Sequence, residues 1–143
     1  MKTKIRNWFN VFLGAVLGLM GFGCFSCGKY ACPTSDFIFE GQVTDENKKP
    51  LPRIQVVRRG GWDDDSNTRH WGEFADTLYT DANGKFYEYL DDEFPIKIHK
   101  VIVNDTSGVY QSDSTIATVE YSGERRWYKG KADLKLDFKL KKK

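Results

Sequence analysis

The sequence predicts an all-β sandwich of about seven strands behind an N-terminal export signal. Three observations predict it. Apolar and polar residues alternate with a period of two in several runs, most strictly from Lys131 to Leu140. Turn residues, mainly Gly, Asp, Asn and Pro, punctuate those runs at short intervals. Beyond the first 26 residues no segment holds a 3.6-residue period. The 143 residues suffice for one domain with one hydrophobic core.

The first element is the signal. Lys2, Lys4 and Arg6 make a basic start, and Val11 to Gly23 follows with no charge. An apolar core of this length behind a basic start reads as a secretory signal, and it is shorter than the roughly 20 residues of a spanning helix. Adding Trp8, Phe9 and Phe25 brings it near that length, so an uncleaved anchor is the alternative. Residues 1–26 hold three basic groups and no acidic one, so their removal takes the net charge from +2 to −1. The basic balance therefore belongs to the signal and gives no ground for nucleic-acid binding.

Cys24 and Cys27 stand where the apolar run ends, each after a small residue. A thiol there can take a diacylglyceryl group, and Gly23 or Ser26 gives a peptidase its site. Cys27 is the expected lipidation site, with Cys24 as the alternative; cleavage before Cys27 leaves 117 residues. If Cys24 carries the lipid, Cys27 and Cys32 can pair as a disulfide. No second ligand pair follows to complete a zinc site. The chain divides into a signal peptide (1–26), a lipid-anchored tether (27–35) and a sandwich domain (36–143).

The strands then follow in order. Phe37, Phe39, Gly41 and Val43 alternate with Ile38, Glu40, Gln42 and Thr44, and Asp45 to Pro50 is a polar turn. Ile54 to Arg58 is extended. Thr77–Thr80 and Lys85–Leu90 flank Asp81-Ala-Asn-Gly84, a hairpin connection. Pro95 to Val103 is a further strand, and Tyr110 to Tyr121 holds one or two more. Ala132, Leu134, Leu136, Phe138 and Leu140 alternate with charged residues in the last strand, which ends in a solvated basic tail. The longest irregular stretch, Arg59 to Asp76, reads as a functional or locally disordered loop.

Gly41-Gln-Val-Thr-Asp45, Pro50-Leu-Pro-Arg-Ile-Gln-Val56 and Thr80-Asp-Ala-Asn-Gly-Lys-Phe86 resemble the carboxypeptidase regulatory-like modules. These are transthyretin-like sandwiches, immunoglobulin-like in architecture. Across nearly its whole length the chain is similar to the radical SAM-associated lipoproteins of Gram-negative bacteria. The shared features are the Ser-Cys at the signal end, Cys32-Pro33, the Thr-Leu-Tyr-Thr-Asp segment and Trp127-Tyr-Lys-Gly-Lys131. The module pattern has a glycine in the first turn where this chain has Lys48, so Asn47 or Lys48 must take the left-handed conformation. The resemblance implies an envelope protein working beside a radical SAM enzyme. It implies no iron–sulfur cluster here, since a cluster needs about four thiolates and the chain has three cysteines.

The remaining chemistry is sparse. His99 lies inside a strand and reads as structural. His70 lies near Asp63, Asp64, Asp65 and Glu73, at spacings that match no zinc or calcium loop. No Gly-x-Ser-x-Gly elbow and no phosphate loop is present. Trp62, Trp71 and Phe74 are the expected recognition surface, an aromatic face able to stack on sugars or seat a partner's side chain; their alternative is to cap one end of the sandwich. These readings sum to a non-catalytic binding or scaffolding module, not an enzyme, with no cofactor and no metal. It is lipid-anchored to a bacterial membrane, outer membrane or cell surface rather than inner, with an envelope protein or carbohydrate as partner and no nucleic acid. The rivals are a small metal-dependent envelope enzyme using the His70 loop, and a substrate of a radical SAM maturase.

Overall fold

In the computed structural model, which describes residues 32–143, the alternating run of the first strand becomes β1 (Thr34–Asp45). It sends Phe37, Phe39 and Val43 into the interior, where none is more than 2% exposed. Six strands follow: β2 (Gln55–Asp63), β3 (Arg69–Tyr79), β4 (Lys85–Glu93), β5 (Ile98–Asn104), β6 (Asp113–Thr118) and β7 (Tyr128–Leu140). There is no helix among the described residues. The strands form two sheets, ordered β4-β1-β7 and β3-β2-β5-β6.

β1 is the centre of the three-stranded sheet, antiparallel to β4 and parallel to β7. Their inner rows face Val56, Val101 and Val103 of the other sheet, giving the sandwich core with Phe86, Leu134, Phe138 and Leu140. Gly41 sits in this row for lack of space. A Cβ there would lie 1.7 Å from the Leu136 carbonyl oxygen and 2.6 Å from Cζ of Phe86. The domain starts within the segment read as a tether: Ser35 is wholly buried and its hydroxyl donates to the Glu93 carbonyl at 3.0 Å. The first turn takes its left-handed residue at Lys48, with φ of 63°.

Three local expectations change. The Asp81–Gly84 turn closes as a hairpin does, with Gly84 N–H donating to the Asp81 carbonyl at 3.0 Å. Its flanks, however, join different sheets, β3 on β2 and β4 on β1, so the turn crosses between layers. The stretch Arg59–Asp76 is no loop but a β2–β3 hairpin, paired from Arg59↔Ala75 to Asp63↔Arg69. Asp64 holds its tip, accepting the backbone N–H of Ser66 and Thr68 at 2.9 and 2.8 Å. The basic tail is tied by backbone: Gln111 N–H donates to Lys141 O at 2.8 Å and Lys143 N–H to Val109 O at 3.0 Å. Cys24, Cys27 and the segment read as a signal lie outside the described residues; Cys32 is exposed.

Candidate functional site

Residues two apart on a strand share a face. On β2 the inward row is therefore Val56, Arg58, Gly60 and Trp62. Val56 is fully buried, Arg58 nearly so, and Trp62 is 55% exposed. The row runs from the core out into solvent at one end of the sandwich. Gly60 stands opposite His99 of β5, and Ile96 of the β4–β5 connection packs on it; a Cβ on Gly60 would meet Ile96 Cδ1 at 2.6 Å. Three glycines, Gly60, Gly61 and Gly72, leave a groove of about 390 Å³ walled by Trp62, Phe94, Pro95 and Ile96. Its lining is almost wholly apolar.

Behind the groove lies a buried polar cluster. His99 is 1% exposed and stacks on Phe37, with ring centroids 4.6 Å apart. Its Nε2 is 2.9 Å from the Ile96 carbonyl oxygen and its Nδ1 is 3.4 Å from Arg58 Nη1. That pairing fits a neutral ring, protonated at Nε2 and accepting at Nδ1. Burial, reinforced by the Arg58 charge, pulls the His99 pKa down to about 4. Arg58 itself ion-pairs with Asp76 and lies over the Phe37 ring at 4.9 Å. Burial, helped by the Asp76 charge, raises Glu88 above the usual carboxylate range although Arg58 opposes it. Arg58 Nε and Glu88 Oε2 are buried with no partner. The Ile96 carbonyl also accepts from the Tyr121 hydroxyl at 3.0 Å, so two side chains hold the β4–β5 connection that walls the groove.

At the rim, His70 stacks on Trp62 with centroids 5.7 Å apart, and its Nε2 is 2.9 Å from Asp64 Oδ2. That bond holds the Asp64 carboxyl below its ordinary range. Asp63 is lowered likewise by Arg69, which binds it through two nitrogens at 2.8 and 3.0 Å. The acidic residues Asp63 and Asp64 thus face cations and donors. Among the described residues no group of three or more His, Cys, Asp or Glu is placed to hold a metal ion.

The aromatic residues singled out in the sequence do not form one face. Trp62 pairs with His70 on the inner side, whereas Trp71, opposite Gly61, points outward beneath Lys100, whose Nζ is 5.8 Å from its ring centre. Phe74 lies in β3, and its side chain is outside the described part. Sequence reading missed Phe94, Pro95 and Ile96, and it missed Arg58. The one available signal was Arg58 in step with Ile54 and Val56, a charge at an inward position.

No family model matches the sequence, and no curated protein matches it. Solved structures do share the fold. The 3-chlorocatechol 1,2-dioxygenase of Rhodococcus opacus 1CP aligns over 83% of this chain and 69% of its own, with a TM-score of 0.50 and 13% identity. The catechol 1,2-dioxygenase of Pseudomonas arvilla C-1 aligns over 77% of this chain, with a TM-score of 0.50 and 16% identity. The chain spans about half, 53%, of that enzyme's length. At such identities the likeness is one of fold. It corrects the expectation of a non-catalytic binding or scaffolding module that is not an enzyme. These two solved proteins share the sandwich and are dioxygenases, so the sandwich gives no ground for excluding catalysis. The reason is general: chemistry sits in side chains grafted on a scaffold, and missing local motifs say nothing about groups brought together by folding.

Proposed function

We propose that the chain is a lipid-anchored protein of the bacterial cell envelope, of the radical SAM-associated kind, that receives a small planar apolar molecule in the groove at Gly60–Trp62. His70, held against Trp62 and hydrogen-bonded to Asp64, is the polar group at its rim. The observation that carries this reading is the groove itself. Its volume, about 390 Å³, falls within the range of small-molecule sites. Its glycine floor and Trp62, Phe94, Pro95 and Ile96 walls suit the flat face of a ring. The buried cluster behind Ile96 supports the wall without entering the groove.

Catechol is a ring of suitable size and the compound for which the similar enzymes are named, which makes it the first probe. Catechol and 1-naphthol are titrated against the full chain and followed by tryptophan emission. A saturable change, with a dissociation constant of about a millimolar or tighter, is expected. It disappears in Trp62→Ala and Gly72→Val and survives Trp71→Phe. Absence of a saturable change with both rings overturns the reading.

A further inference from the structure

The point where the chain joins the sandwich lies at the same end as the groove. Thr34 N–H donates to the Trp127 carbonyl at 2.9 Å, and Ser35 stands opposite Glu93, the residue before Phe94. Gly61, at the far end of β2, stands opposite Ile98, just after the same connection. The register thus gathers the start of β1, the β4–β5 connection, the end of β2 and the residues before β7 at one end. Exposed aromatics collect there: Trp62 is 55% exposed, Phe94 61% and Trp127 61%. Both strongly exposed tryptophans of the described residues are at this end.

We propose that this end of the sandwich rests on a zwitterionic phospholipid surface, with Trp62, Phe94 and Trp127 in the interfacial layer. The inference rests on membrane attachment upstream of Thr34. Seven residue steps separate Cys27 from Thr34, a reach of at most about 25 Å. Attachment at Cys27 therefore confines this end, and not the opposite one, to the neighbourhood of the bilayer. Indole and phenyl rings on such an end partition into the interface, where tryptophan is enriched in membrane proteins. The flanking charges are of both signs: Asp91, Asp92 and Glu93 precede Phe94, and Arg125 and Arg126 precede Trp127. A mixed rim of this kind matches headgroups that carry both charges better than a strongly anionic surface. A molecule entering the groove then comes from the interface, which narrows its class to ring compounds that partition into membranes.

The test uses the full chain purified from membranes and placed in phosphocholine nanodiscs whose acyl chains are brominated. Three forms each keep one tryptophan, with the others changed to Phe: Trp62, Trp127, and a far-end reporter made by Tyr79→Trp. Expected is loss of most of the Trp62 and Trp127 emission, relative to unbrominated lipid, with the far-end reporter unchanged. Emission of all three unchanged overturns the inference. Mass analysis of the same sample separates the two readings. A lipidated chain with no quenching discards the membrane-facing end and keeps the lipid; quenching in a chain that retains residues 1–26 and carries no lipid keeps the membrane-facing end and discards the lipid.

Discussion

His99 shows how one residue ties the site to stability. Its folded pKa is about 4, below the ordinary 6.5 of histidine. As pH falls below about 6.5 the unfolded chain takes up a proton there and the folded chain does not. The native state is therefore favoured fully above that pH and loses ground down to about pH 4. The total loss is on the order of 3 kcal/mol. Denaturant unfolding at pH 7 and pH 4.5 measures it, and His99→Gln removes most of the difference. A parent whose stability is flat across that window contradicts a neutral His99. The strand position of this residue was legible in the sequence. Its contact with Arg58 was not, because the two meet only when β2 pairs with β5.

Among the elements, β7 was the most legible, since strict alternation needs no knowledge of its partners. Ala132, Leu134, Phe138 and Leu140 are buried as that pattern requires, and Leu136 is only half-buried. Leu136 is level with Gly41 on β1, which offers it no side chain to pack against. Phe138→Ala should cost about 3–5 kcal/mol by denaturant unfolding. Leu136→Asp should cost clearly less than Leu134→Asp, and the reverse order would place the inner row wrongly. Removing Lys141 to Lys143 takes away two backbone bonds to Val109 and Gln111. A loss of about 1–2 kcal/mol follows, with faster amide exchange at Gln111. The β2–β3 hairpin was the least legible element. Its Gly60-Gly61 pair and Asp63–Asp65 run carry loop chemistry, and on β3 four residue steps from Trp71 to Ala75 stand against two on β2, which interrupts the pairing. The groove was hidden for the same reason: Phe94 to Ile96 come to Gly60 from more than thirty residues away.

For the whole molecule, the two-sheet architecture followed from counting short strands and turns, whereas the assignment of strands to sheets needed the register. The proposed attachment is tested on the intact chain in cells. Cys27→Ala should abolish incorporation of a fatty-acid analogue and Cys24→Ala should leave it intact. The opposite pattern moves the lipid to Cys24 and leaves Cys27 free to bond with Cys32.

The parallel pairing of β1 with β7 sets the order of assembly. β1 emerges first from any ribosome or export channel, and β7 follows all the other strands. Until Tyr128 to Leu140 arrive, one whole side of β1 has no neighbour, and the row of Phe37, Phe39 and Val43 lacks the cover of Leu134 and Phe138. The sandwich closes only by joining its two ends, the slowest kind of contact to form. A chain stopped before Tyr128 should stay protease-sensitive and unfolded. Closure of the sandwich is thus an event that waits for the last strand, and any chain held before Tyr128 keeps the apolar row of β1 open to other partners.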